Sequence, residues 1–162
     1  MARNEADRED LLREATALVQ RGEFIIPGHE EPVTIGFRRD GAGSIFLGVD
    51  PVYQFNAQGE LRRGYLQGKL LKAQQGKLVE MTRVRSESAV ELHSRTLSAD
   101  ETHQVLTQMQ DALSEVKSAL QDPATTLRGQ VPADGDIRKQ ALVWLNSLPT
   151  PPRIAAGPNV AK

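Results

Sequence analysis

The chain has 162 residues, 39% hydrophobic, 25% charged and only 4% aromatic, with no cysteine. That length suits one domain plus tails, with a core of Leu, Val, Ile and Ala that needs no covalent staple. The lack of cysteine excludes disulfides, thiol nucleophiles and thiolate metal sites. The formal charge of −1 leaves no overall field that would draw the molecule to nucleic acid or a membrane.

The charge is unevenly distributed along the chain. Residues 1–32 carry four basic and eight acidic side chains, a net of −4; residues 33–97 carry ten and six, a net of +4; residues 98–162 carry six and seven, a net of −1. A mildly basic unit thus lies between two acidic ones. No apolar run approaches the ~18 residues that a spanning helix requires. The charged N-terminus lacks the apolar stretch of a signal peptide, so cytoplasmic residence without membrane contact is the default expectation.

In chain order, Asn4 or Asp7 is placed to cap a first amphipathic helix ending at Gly22, with Leu11, Leu12, Ala15, Leu18 and Val19 on one face. The period then changes. Phe24-Ile25-Ile26 reads as a short strand closed by Pro27-Gly28, and Val33, Ile35 and Phe37 alternate with Thr34, Gly36 and Arg38 as in a half-buried strand. Further strands are expected over 45–49, 52–55, 60–66, 69–73, 77–85 and 89–95, separated by Asp40-Gly41, Asp50-Pro51, Asn56-Ala57-Gln58-Gly59, Gln74-Gln75-Gly76 and Ser86-Glu87-Ser88.

Ser98-Ala99-Asp100-Glu101 is a capping box, and Val105, Met109, Leu113, Val116 and Leu120 form the stripe of the helix it opens. Residues 123–133 read as a loop. A third helix follows with Ile137, Ala141, Trp144, Leu145 and Leu148 on its face, stopped by Pro149 to Pro152. The expected fold is therefore α+β: one domain over 1–150, with helix over 1–22, an antiparallel β-meander over 23–97 and two helices over 98–149. The meander has about six or seven strands in a curved or barrel-like sheet, and residues 150–162 are expected to be a disordered tail.

Strand parity supplies the candidate site. Arg39 shares the parity of Val33, Ile35 and Phe37, and Arg63 lies between Leu61 and Tyr65. If both strands stay regular, two permanently charged guanidinium groups sit beside apolar faces and require an anionic partner. Arg39 and Arg63 would then be planar forks for a carboxylate or phosphate, with Arg38 and Arg62 outside them. The competing reading has Arg39 escaping beyond the sheet end at Asp40-Gly41 and a bulge after Gly59 turning Arg63 outward. Tyr53 and Tyr65 are the aromatic candidates beside these cations, since rings on a basic sheet can stack bases. A pI near 6.3, however, lacks the basic footprint of a nucleic-acid-binding domain.

No metal site, cofactor site or catalytic residue is nominated. His29, His93 and His103 lack ligand spacing, and there is neither a Walker loop nor a dinucleotide-binding glycine fingerprint. A long-range set such as Ser44, His93 and Asp50 has no nucleophile-elbow sequence behind it. The chain reads as a non-enzymatic binding or adaptor domain for an anionic small molecule or a protein. Nucleic-acid binding through the basic sheet and an enzyme with an unrecognised site are the alternatives.

The stretch from Asp50 to Arg63, with Gly36-Phe37-Arg38-Arg39-Asp40-Gly41 before it, resembles an uncharacterised bacterial protein family over residues 33–80. The resemblance brings no activity, ligand or site residue with it. It implies only that residues 33–80 are the defining part of the fold.

Overall fold

The computed structural model describes residues 20–66, 69–85, 87–131 and 135–156. Nine strands form one antiparallel sheet: β1 (Gln20–Ile25), β2 (Val33–Phe37), β3 (Gly43–Leu47), β4 (Asp50–Phe55), β5 (Leu61–Leu66), β6 (Lys69–Gln74), β7 (Lys77–Arg85), β8 (Val90–Thr96) and β9 (Thr126–Val131). Among the described residues two helices, α1 (Ala99–Gln121) and α2 (Ile137–Ser147), accompany it. The spatial order is β8-β7-β6-β5-β4-β3-β2-β1-β9, so eight strands follow one another as a meander and the ninth returns beside the first. β8 and β9 are both edges, and the sheet is open rather than closed into a barrel.

The period-2 pattern sets one face. Phe24, Val33, Ile35, Phe37, Ile45, Tyr53, Phe55, Leu61, Leu71 and Leu78 all turn toward the helices and are buried. The α1 stripe supplies Met109, Leu113 and Leu120, with Val105 and Val116 half-buried, and α2 supplies Ile137, Ala141, Trp144 and Leu145. Trp144 is the keystone. Its ring stacks on Phe37 (5.9 Å, 12°) and meets Phe55 edge-on (5.9 Å, 72°), and its indole N–H donates to the Gly41 carbonyl at 2.8 Å. It lies so close over β3 that a Cβ on Gly43 would stand 2.3 Å from its Cζ2.

The capping box of α1 forms as the sequence implies: Glu101 N–H donates to Ser98 Oγ (3.1 Å) and Ser98 N–H donates to Glu101 Oε1 (3.0 Å). At the other end of α1, Arg138 of α2 donates to the carbonyls of Leu120, Asp122 and Thr125. A guanidinium there satisfies acceptors that the helix end leaves open.

Several expectations are corrected. The first helix falls mostly on residues outside the described ones, but Gln20, Arg21 and Gly22 belong to β1 and Gly22 is no helix terminator. A Cβ there would stand 2.9 Å from the Phe24 ring and 3.1 Å from Ile137 Cγ1, so the bare glycine lets α2 approach. The loop over 123–133 contains β9, an exposed edge strand whose pairing with β1 spans the whole meander. The strand expected over 45–49 stops at Leu47, and Asp50-Pro51 opens β4 instead of interrupting it. The tail is ordered at least to residue 156: Leu61 N–H donates to the Arg153 carbonyl (2.8 Å), Ala155 N–H to the Leu61 carbonyl (2.9 Å), and Gln75 N–H to the Ala156 carbonyl (2.7 Å). Buried Ala155 and half-buried Ile154 hold it down. Among the described residues, no helix is long and apolar enough to cross a membrane.

Candidate functional site

Meander geometry brings the β2–β3, β4–β5 and β6–β7 turns to the same end of the sheet. Phe37 pairs with Gly43, Phe55 with both Gly43 and Leu61, and Gln74 with Lys77. Each turn is fixed by positive-φ residues: Gly41 at 102°, Gly59 at 76°, and Gln75 and Gly76 at 52° and 78°. Such angles are what glycine tolerates and other residues rarely adopt. Asn56 adds an Asx turn, its Oδ1 accepting from Gln58 N–H (3.0 Å) and Glu60 N–H (2.9 Å).

At this end a trough of about 1010 Å³ opens, bounded by the turns and by Ala155 and Ala156 of the C-terminal segment. Register places Arg63 beside Lys72, Lys72 beside Val79 and Val79 beside Thr96, all on the face away from the helices, and Lys77 shares that parity. Arg38 enters from the β2–β3 turn and Arg62 from the start of β5. Among the described residues the lining therefore holds five cations, Arg38, Arg62, Arg63, Lys72 and Lys77, and no carboxylate. Among the described residues no carboxylate pairs with Arg63, Lys72 or Lys77. Arg38 is half-exposed and ion-pairs with Asp40, whose carboxyl is held below its usual range chiefly by that guanidinium and then by the Ala42 N–H. Arg62 has a partner as well.

The arginine doublets reach this trough by a different route from simple parity. β2 ends at Phe37, so Arg39 lies in the turn and is exposed, outside the lining. In β5 a bulge intervenes: Phe55 opposes Leu61 but Gln54 opposes Arg63, which leaves Arg62 as the extra residue. Leu61 and Gly64 then both face the core, and Arg63 and Tyr65 face away from it. An extra residue on one strand inverts the faces beyond it. Neither Arg39 nor Arg63 is thus forced into apolar surroundings: Arg39 lies beyond the end of β2 and a bulge after Gly59 turns Arg63 outward, as the competing reading of the sequence had it. Tyr53 is a core residue beside Phe55, and burial pushes its phenol up to about 12. Tyr65 is 44% exposed on the outer face but does not line the trough.

Lys72 and Lys77 were not legible as site residues. The alternation of buried Leu71 with Lys72 marks an outward lysine, but only the β5–β6 register sets it against Arg63. Ser44, His93 and Asp50 are not brought together. β3 and β8 are five strand steps apart, about 24 Å at the usual interstrand spacing, and His93 is bonded to Glu91 at 3.2 Å.

No family model, curated protein or solved structure matches this chain.

Proposed function

We propose that the domain is a binding module for a small ligand carrying several oxyanions, phosphoryl or carboxylate, held in the basic trough. One observation carries the reading: five cations, one from the β2–β3 turn and four from β5, β6 and β7, line one concavity with no carboxylate among the described residues that line it. Arg63 and Lys72 are like charges in cross-strand register, and an anion that bridges them removes their repulsion while gaining charge-assisted hydrogen bonds. The volume lies at the upper end of the usual range for small-molecule sites. Ala42, Ala57, Ala73, Ala155, Ala156 and Val79 supply little apolar surface for a large ring system, so recognition rests on charge.

A single-stranded nucleic acid would need a stacking platform, and no aromatic side chain lines the trough. Nor is there a nucleophile and base in contact within the lining, which favours binding over catalysis.

Calorimetric titration with sodium tripolyphosphate and with citrate tests the reading, at low and at physiological salt. Binding is expected to weaken as salt rises, and each of Arg63→Ala and Lys72→Ala to weaken it about 10- to 100-fold, the range of one lost charge-assisted contact. Neither variant should lower the melting temperature of the free protein, since neither side chain has a carboxylate partner among the described residues. The absence of heat and of thermal stabilisation with both anions at low salt, or affinities untouched by both substitutions, refutes it.

A further inference from the structure

The end of the sheet at β8 is unlike the rest. Every residue of β8 is exposed, and so are Thr82 to Arg85 of β7, with Val84 at 40%, Val90 at 57% and Leu92 at 66%. This part of the β7–β8 pair is a two-stranded ribbon projecting past the core, an arrangement marginal in water by itself. Among the described residues nothing pairs with the outer side of β8. The strand has no proline, no lysine and no bulge over its seven paired residues, and its protective charges, Glu91 and Arg95, are of opposite sign.

The phase of the ladder shows which groups are free. Leu97 N–H donates to the Leu78 carbonyl at 2.9 Å, so Leu97 and, by alternation, Arg95, His93 and Glu91 direct their backbone groups at β7. Val90, Leu92, Ser94 and Thr96 direct theirs outward. We propose that β8 pairs antiparallel with β8 of a second copy of this chain, centred on His93, to form a two-fold dimer with one continuous sheet.

The sequence of the strand is complementary to itself in that register. Val90 falls opposite Thr96 of the second copy, Glu91 opposite Arg95, Leu92 opposite Ser94, and His93 opposite His93. The four outward residues of each strand meet one another, giving about eight backbone hydrogen bonds. Both charged residues meet opposite charges, which cross-strand pairing favours. Arg95 is already held upright by Glu101 (2.8 and 2.9 Å) and Glu80 (2.9 Å), so its guanidinium is preorganised at the edge. The Leu92 side chains lie diagonally across the axis and shield each other. The other edge, β9, is a poorer partner: a bulge leaves Arg128 unpaired against β1, and Gly129 weakens the strand. The pairing closes on itself after two copies, and it sets both troughs on the same side of the joined sheet.

Sedimentation velocity of the full chain over a concentration series, with cysteine cross-linking of single-cysteine variants, decides it. The cysteine-free sequence makes each introduced thiol unique. His93→Cys places two thiols at a non-hydrogen-bonded pair, where Cβ atoms come closest. It is expected to form disulfide-linked dimer at least ~10-fold faster than Leu92→Cys or than Val143→Cys on exposed α2. Ser94→Pro removes an outward N–H without touching the β7 ladder and is expected to weaken dimerisation at least ~10-fold. A chain that sediments as monomer up to ~1 mM, with His93→Cys no faster than Val143→Cys, overturns the proposal and leaves the edge to a strand from another protein. Fastest cross-linking by Leu92→Cys overturns the stated register.

Discussion

Replacing Trp144 by Phe tests how α2 is fastened to the sheet. The indole N–H is the donor to the Gly41 carbonyl at 2.8 Å, in the turn that carries Arg38. Phenylalanine leaves that half-buried acceptor without its partner, a cost of about 1–2 kcal/mol. It also removes three ring atoms from a site packed between Phe37, Phe55 and bare Gly43, for about 1.5–2 kcal/mol of lost burial and residual void. The aromatic stacking is partly kept, because a phenyl ring still faces Phe37. The expected loss is therefore about 3 kcal/mol, or roughly 6–12 °C in melting temperature for a domain of this size. Urea unfolding followed by far-UV circular dichroism measures it, since the substitution removes the chain's one tryptophan and with it the fluorescence signal. A loss below ~1 kcal/mol would mean that the hydrogen bond and the void contribute little, and that α2 is held by its aliphatic contacts instead.

Gly43→Ala attacks the same contact from the strand side. The added Cβ would stand 2.3 Å from Trp144 Cζ2 and 2.7 Å from the Gly36 carbonyl, so the ring or the strand must move. A loss of about 3 kcal/mol in urea unfolding is expected. The double variant with Trp144→Phe should lose less than the sum of the two, because the smaller ring gives the methyl room. Acid sensitivity should report the Arg95–Glu101 pair. Arg95 and then the Ser98 N–H hold the Glu101 carboxyl down to about 2, and Arg95 also lowers Glu80. A carboxyl depressed in the folded state stabilises above its unfolded value and loses that contribution as pH falls through the folded one. The stability advantage of the native chain over Glu101→Gln is thus expected to shrink from about pH 5 down to pH 2; a gap that stays constant across that range would contradict it.

Elements defined by local pattern were readable in the sequence. Val33, Ile35 and Phe37 announce β2, Ser98 and Glu101 announce the start of α1, and Ile137, Ala141, Trp144 and Leu145 announce the buried face of α2. Each signal lies within a few residues of the structure it specifies. β9 was not readable, because its residues are exposed at an edge and show no apolar alternation. Its partner β1 is about a hundred residues away in sequence, and no local cue encodes that meeting. β7 and β8 were expected, over 77–85 and 89–95, so β9 is the strand that sequence reading left out.

The arginine doublets show why parity alone misplaces charge. Counting from Leu61, a regular strand would turn Arg63 inward, and the glycine of Asn56-Ala57-Gln58-Gly59 gives no sign of how many residues the turn consumes. The structure inserts Arg62 as a bulge, and the inversion that follows presents Gly64 to the core in place of a side chain. This matters energetically. An arginine turned to the core face would cost several kcal/mol unless paired, whereas Gly64, opposite Tyr53 on the adjacent strand, brings no charge to bury. The same step that spares the core puts Arg63 on the outer face directly across from Lys72. Deleting Arg62 therefore tests the bulge. It brings Leu61, Arg63 and Gly64 into regular alternation opposite Phe55, Gln54 and Tyr53 and keeps Arg63 on the outer face, so its stability in urea unfolding should lie within about 1 kcal/mol of that of Arg62→Ala; a loss of several kcal/mol would mean that the extra residue is needed to hold Arg63 outward.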